Sequence, residues 1–232
     1  MRSEELRVCQ GLPYLQGLAE GSVKQLLDSA RLERYHAHTH LIEQGGSPEF
    51  LHVVVEGRVE VFSRYRDRET TVDVLNDGES FILAAVFLDK AYLKSARALT
   101  PVRILLIPAP AVRAVFRDDP AFAERCAADL ARGYRRLVKE VSNLKLRSSL
   151  ERLANWLLHH ARHDGASPQF TIPFDKKTLA AKLGIAPEVL SRNFAALTAH
   201  GVKIAGKTVE VTDLARLEGF AQPVPILDDP AY

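Results

Sequence analysis

Several features that narrow function in other chains are scarce or missing here. Among 232 residues there are only two cysteines, Cys9 and Cys126. They are too far apart for a zinc or redox spacing and cannot by themselves hold a four-thiolate iron–sulfur cluster, so both are expected to be ordinary reduced thiols. No apolar run reaches the length of a membrane span, and the N-terminus MRSEELRVCQ is charged and lacks a secretory apolar core. A folded cytoplasmic protein with no membrane association is the expectation. An excess of one charge is missing too. With 31 Lys plus Arg against 29 Asp plus Glu the net charge is +2, so affinity for an anionic polymer has to come from local clustering. Apolar residues, by contrast, make up 47% of the chain, ample core for two compact domains or one large one.

Three textures follow one another. The first is a short helical stretch, GSVKQLLDSARLERY, with Val23, Leu26, Leu27 and Ala30 on one helix-period face. From about Leu41 to Pro108 come β-rich runs, FLHVVVEG, RVEVFSRY, TTVDVL and VRILLIP, punctuated by Gly45-Gly46, Gly57 and NDG at 76 to 78. Short strands at close spacing predict a β-roll or barrel. The third texture opens at Asp118-Asp119-Pro120, an N-cap with proline in the first turn, and is helical. Within it Ala127, Leu130, Tyr134, Leu137, Val141 and Leu144 alternate spacings of three and four, the seam of a parallel two-stranded coiled coil. That predicts a homodimer; packing of the same face within one chain is the alternative. KLRSS at 145 to 149 interrupts the seam and suggests a hinge.

The last third divides further. DKKTLAAKLGIAPEVLSRNFAALTAHG reads as a helix to about Leu183, a Gly184-Ile185-Ala186 turn and a second helix from Pro187, which is helix-turn-helix spacing. VKIAGKTVEVTD after it reads as a β-hairpin wing. In such a unit the N-terminal residues of the second helix meet base edges in the major groove of double-stranded DNA. Glu188, Ser191 and Arg192, at i, i+3 and i+4, share one face there. Arginine matches guanine O6 and N7, glutamate accepts from cytosine N4, and serine suits either kind of edge. Lys176, Lys177, Lys182, Lys203 and Lys207 flank this face and suit phosphates. A bland alternative is an i,i+4 ion pair between Glu188 and Arg192, worth only a few tenths of a kcal/mol.

β-roll, long helix and winged helix-turn-helix, in that order, resemble the CRP/FNR superfamily of bacterial transcription regulators over about residues 12 to 220. LIEQGGSPEFLHVVVEGRVEVF is similar to the family's β-roll signature, with Gly45 and Gly57 at its turn glycines. PEVLSR resembles its recognition pattern E-x-x-S-R. The resemblance implies an α+β chain with an N-terminal sensor (1–118), a dimerisation helix and hinge (119–146) and a DNA-binding domain (147–220); the remainder, 221–232, with three prolines in AQPVPILDDPAY, reads as a flexible tail. The resemblance also implies RNA polymerase as a partner and a small-molecule or gas effector, but no catalysis. The recognition pattern is closer to the FNR and nitric-oxide-responsive branches, whose half-sites resemble TTGA, than to the cyclic-AMP branch, which has an arginine where Pro187 stands. One departure is Ala186, where the family places a Ser or Thr cap, a loss of about 1 kcal/mol.

In the cyclic-nucleotide branch a cassette F-G-E-x(n)-R-[ST]-A holds the ligand. Here Phe81 is kept, Ile82 replaces the glycine, Leu83 the ribose-binding glutamate and Lys94 the arginine, with Ser95 and Ala96 retained. A ribose hydroxyl facing Leu83 lacks its partner, at about 1–3 kcal/mol, and Lys94 has no bidentate fork. Cyclic AMP is therefore disfavoured. Phe81, Ile82, Leu83, Lys94 and Ser95 still mark the place of an effector pocket, whose apolar wall FILAAVFL suits a haem or another hydrophobic effector, or is simply core. His36, His38 and His40 share a face if their segment is extended, and with Glu43 are similar to the first cupin motif. That raises metal or haem ligation and, as a remote rival, a metal-dependent enzyme. The motif's glycines and its second half are missing, and a solvated strand edge is the simpler reading.

Overall fold

The computed structural model describes residues 3–163 and 168–229. They form two compact units, one ending at Tyr134 and the other beginning at Arg135, with one helix running through the boundary.

The first unit begins with two helices, α1 (Ser3–Gln10) and α2 (Glu20–Asp28). Strands β1 (Arg31–Tyr35), β2 (His40–Ile42), β3 (Phe50–Glu56), β4 (Val59–Tyr65), β5 (Arg68–Leu75) and β6 (Ser80–Phe81) follow. Then come helix α3 (Leu83–Leu88), strands β7 (Ser95–Ala98) and β8 (Val102–Pro108), helix α4 (Ala109–Asp118) and the long helix α5 (Pro120–Leu146). Two antiparallel four-stranded sheets, ordered β1-β8-β3-β6 and β2-β7-β4-β5, make the roll. The apolar runs in β3 and β8 have a physical reason: the first sheet is buried on both faces. Ile104 and Leu106 of β8 meet Val59, Val61, Ala96 and Ala98, while Leu105 and Ile107 face a helical layer containing Leu26, Leu27, Val112, Val115 and Phe122.

Local chemistry fixes the turns. Gly57 sits at φ +94°, and a Cβ there would lie 2.4 Å from the Pro101 carbonyl oxygen, so no side chain fits. Asp119 caps α5 as expected: Oδ1 accepts from the amides of Ala121 and Phe122 at 2.9 and 3.2 Å.

In the second unit the end of α5 leads to α6 (Ser149–His163), β9 (Gln169–Thr171), α7 (Lys176–Lys182), α8 (Pro187–Leu197) and a 3-10 turn at Thr198–His200. Strands β10 (Val202–Ala205) and β11 (Thr208–Val211) and helices α9 (Leu214–Ala221) and α10 (Pro225–Asp228) complete it. The wing is a three-stranded sheet, β10-β11-β9. Leu153, Leu157, Leu179, Leu190, Phe194, Leu197 and Leu217 are buried, and α6 packs against both α8 and α9.

The structure departs from the sequence reading in four places. The first helical stretch ends at Asp28, and Arg31–Tyr35 instead pairs with β8, so long-range pairing overrides the helix-like spacing. Within FILAAVFL, Phe81 belongs to β6 and Leu83–Leu88 forms a helix with Leu83 and Val86 buried in the helical core, which is the core alternative and not the pocket wall. The segment holding His36, His38 and His40 is not extended: it turns, with the Thr39 amide on the His36 carbonyl and His38 at φ +68°. Finally, where a loose tail was expected, Pro225–Asp228 forms a short helix held by Arg147; residues 230–232 lie outside the described residues.

Candidate nucleic-acid interface and effector pocket

Helix α8 is set by its inner face. Leu190, Phe194 and Leu197 are buried, and the Asn193 amide, also buried, donates to the Ser149 hydroxyl at 3.1 Å, fixing α8 to the start of α6. The opposite face carries Glu188, Ser191 and Arg192, all exposed. No ion pair joins Glu188 to Arg192, and neither side chain has a partner among the described residues, so their hydrogen-bonding groups are available to a ligand. Ser191 differs: its hydroxyl donates to the Pro187 carbonyl at 3.1 Å. Pro187 occupies the first turn and Ala186 precedes it with no side-chain cap, as the sequence implied. Helix α7 does have a cap, Asp175, which accepts from the Thr178 amide at 2.7 Å.

The lysines divide into groups. Lys176 and Lys203 line one groove of about 390 Å³ together with Ser191, Phe194, Ala195, Thr198 and Ile204, and the Lys176 ammonium lies 5.8 Å from the Phe194 ring centre. Lys207 and Lys177 act on Asp175 instead: burial pushes its carboxyl up, but the Thr178 contacts and these two cations outweigh burial and hold it below the usual range. Lys182 is half-buried and lines neither feature. The positive charge thus divides between the groove beside Ser191, with Lys176 and Lys203, and the surroundings of Asp175, with Lys177 and Lys207.

Behind the helices lies a set of contacts that residue spacing did not reveal. Arg152 donates through Nε to the Leu183 carbonyl at 3.0 Å and through Nη1 to the Arg147 carbonyl at 2.7 Å, tying the helix-turn-helix corner to the end of α5. At that corner Gly184 has φ +64°, and a Cβ on it would meet Leu144 at 2.8 Å. Leu144, placed in the coiled-coil seam by its spacing, therefore also packs within its own chain. The remaining seam is uncovered: Ala127 is exposed, and Leu130, Tyr134, Leu137 and Val141 are 39%, 70%, 50% and 48% exposed.

The residues marked as an effector pocket do not come together. Phe81 packs between the sheets, Ile82 turns the chain at φ +63°, and Leu83 points into the helical layer. A β-branched residue at positive φ is unusual, and this is the position of the family's glycine. Lys94 is half-buried, and Ser95 lies on the face of the second sheet away from the core. The Ser95 hydroxyl is already engaged, accepting from the Gln44 amide at 2.9 Å and donating to Glu43 at 3.3 Å. A phosphate there would face a carboxylate.

That same sheet face holds a polar network that sequence reasoning missed. Glu60, 2% exposed, accepts from Thr71 at 2.5 Å and from Arg97 at 2.6 Å; Arg97 continues to Glu69, which pairs with Arg64, and its guanidinium covers the Phe62 ring at 4.4 Å. The alternation of Glu60 and Phe62 with Val59 and Val61 was the available signal. His52 was missed as well: burial pushes its imidazole down to about 4, although its bond to the Phe50 carbonyl opposes this, and it packs against the Phe81 ring with centroids 4.9 Å apart and planes tilted by 37°.

Among the described residues no group of three or more His, Cys, Asp or Glu side chains can hold a metal ion. His36 and His38 lie on an exposed turn, and His40 bonds Glu43 at 2.5 Å. Both cysteines are buried, and burial raises both thiols, Cys126 to about 11. A haem needs an apolar slot with an inward-facing ligand, and these residues do not fit that need.

Comparison with known proteins agrees with this arrangement. Residues 32–119 match the cyclic nucleotide-binding domain, and residues 151–220 match the Crp-like helix-turn-helix domain. A module of the cyclic nucleotide-binding type followed by a Crp-like helix-turn-helix module defines a transcription regulator. The chain is similar to the cAMP-activated global transcriptional regulator CRP of Pasteurella multocida, with 25% identity over 197 residues, 82% of this chain and 94% of that protein. A crystal structure from Ruegeria pomeroyi, described as a cyclic nucleotide binding protein, shares 30% identity over 96% of this chain and all of that one, with a TM-score of 0.60. In fold alone, a structure from Eubacterium rectale described as a regulator of the CRP/FNR family superposes with a TM-score of 0.73 at 20% identity, covering 91% of this chain and 98% of that one. The chain belongs to the CRP/FNR family of transcription regulators. Its relatives are regulators and not enzymes, which sets the cupin-like enzyme aside.

Proposed function

We propose that the chain is a homodimer that reads a palindromic, TTGA-like site in double-stranded DNA. Glu188 and Arg192 of each protomer read base edges, with Ser191 joining them once its hydroxyl leaves the Pro187 carbonyl. Lys176 and Lys203 hold one phosphate run from their shared groove, and Lys177, Lys182 and Lys207 add further phosphate contacts. The observation that carries this reading is the exposed, unpaired pair Glu188 and Arg192 on the outer face of α8. The uncovered stripe on α5 supports the dimer, since apolar side chains at a and d positions are stabilised by a symmetry-related copy. The protein works in the cytoplasm with RNA polymerase, under an effector acting through the β-roll.

Resemblance of PEVLSR to the nitric-oxide-responsive branch favours nitrogen-oxide control, and a haem on the residues named above is not part of the reading. A second reading, control by a cyclic nucleotide, is favoured by the domain match at 32–119, the cAMP-activated relative and the retained Ser95-Ala96. Selection of bound duplexes from a randomised pool tests the DNA assignment. Enrichment of a TTGA-like palindrome is the expected result, and no enrichment contradicts it. Calorimetry with cyclic AMP separates the two effector readings: no heat is expected, and micromolar binding would establish the second.

A further inference from the structure

The C-terminal segment folds back onto the end of the long helix. Asp228 and Arg147 form a two-pronged ion pair, Nη1 to Oδ1 and Nη2 to Oδ2, both at 2.6 Å, with the two side chains 17% and 11% exposed. Each partner is held a second time. Asp228 Oδ2 accepts from the Val224 amide at 2.7 Å, and Arg147 Nη1 donates to Asn143 Oδ1 at 2.7 Å. One turn earlier on α5, Lys139 donates to the Asp229 carbonyl at 2.8 Å. A planar fork on a carboxylate fixes orientation as well as distance, which a lysine in the same place does not.

Two details give this contact a role beyond tying down a chain end. Arg147 lies in KLRSS, between α5 and α6, where the dimer helix ends and the DNA-reading unit begins. Its carbonyl accepts from Arg152, which in turn donates to Leu183 at the helix-turn-helix corner, so the tail, the hinge and the corner form one chain of bonds. The clasp also leaves the dimer seam open. At 100° per residue, Lys139, Asn143 and Arg147 lie about 130° around α5 from Leu137, Val141 and Leu144, so the tail and a partner helix can occupy α5 together.

We propose that Asp228 and Arg147 are a positioning pair: the C-terminal clasp sets the angle at which α5 carries the reading helix, and through it the half-site spacing the dimer accepts. The proposal rests on the dimeric DNA-binding reading. The clasp touches no DNA, so its loss changes which spacing is preferred without changing the number of phosphates neutralised.

The test uses the full chain in two measurements. A spin label on Ala199→Cys, an exposed position after α8, reports the distance between the two reading units, the buried native cysteines being poor labelling sites. A single narrow distance is expected in the unmodified background and a broadened one with Asp228→Ala; the exchange Arg147→Asp with Asp228→Arg restores the narrow one. On palindromic duplexes of TTGA half-sites, Asp228→Ala loses about fivefold to tenfold of its discrimination against spacers one base pair too long or too short, with an unchanged salt slope. A simple stabilising contact would lower the melting temperature and leave both readouts unmoved. A narrow distance and full discrimination in Asp228→Ala overturn the positioning role alone. No dipolar coupling in the unmodified background overturns the dimer and the proposal with it.

Discussion

The two units treat their polar residues in opposite ways. In the helix-turn-helix unit the residues proposed to meet DNA stand outside, with Glu188 and Arg192 unpaired and Lys176 and Lys203 lining a groove. In the sensor unit the equivalent polar groups are satisfied internally: Ser95 by Gln44 and Glu43, and Glu60 by Thr71 and Arg97. A surface built for a charged polymer must display donors before the ligand arrives, and such donors are readable as side-chain types at helical spacing. A sensor works through unequal affinity for two states, which side-chain types at local spacing do not display.

The largest effect that sharpens this contrast is expected at α5. Leu137→Asp sets two like charges against each other across the seam and should dissociate the dimer, a loss of several kcal/mol; sedimentation checks it, and an unchanged dimer would refute the coiled coil. A smaller effect tests the internally satisfied sensor. His52 is held neutral by burial, from the ordinary 6.5 down to about 4, so the unfolded chain takes up a proton that the folded one refuses. Its contribution is complete above pH 6.5 and is lost as pH falls toward 4, by about 3 kcal/mol in all. Denaturant titrations at several pH values should show that slope, and His52→Phe should flatten it. The smallest effect belongs to the groove: Lys203→Ala should weaken all sequences alike and reduce the salt slope by about 1, measured by titrating duplex at several salt concentrations.

How much of this was legible in the sequence follows from the range of the interactions. The roll, the cap at Asp119, the seam spacing and the helix-turn-helix are local patterns, visible in periodicity and turn residues. Strand β1 was hidden because RLERY has no alternation of its own and is a strand only through its pairing with β8. The clasp at Asp228 joins residues 81 positions apart and buries polar groups that composition reads as a solvated tail. The shared exposed face of Glu188, Ser191 and Arg192, proposed to meet DNA, was legible because these residues sit within about one turn of a helix. The effector pocket was not: the cassette alignment groups Phe81, Leu83 and Ser95, whereas packing sends them to three separate surroundings.

The central claim, that α8 reads bases and does not only grip phosphates, is tested most directly by titrating a labelled TTGA palindrome and a scrambled duplex with the unmodified protein and with Arg192→Ala. The predicted result is a loss of about 1–3 kcal/mol per half-site on the palindrome and little change on the scrambled duplex. An equal loss on both would make Arg192 a phosphate contact and contradict the assignment.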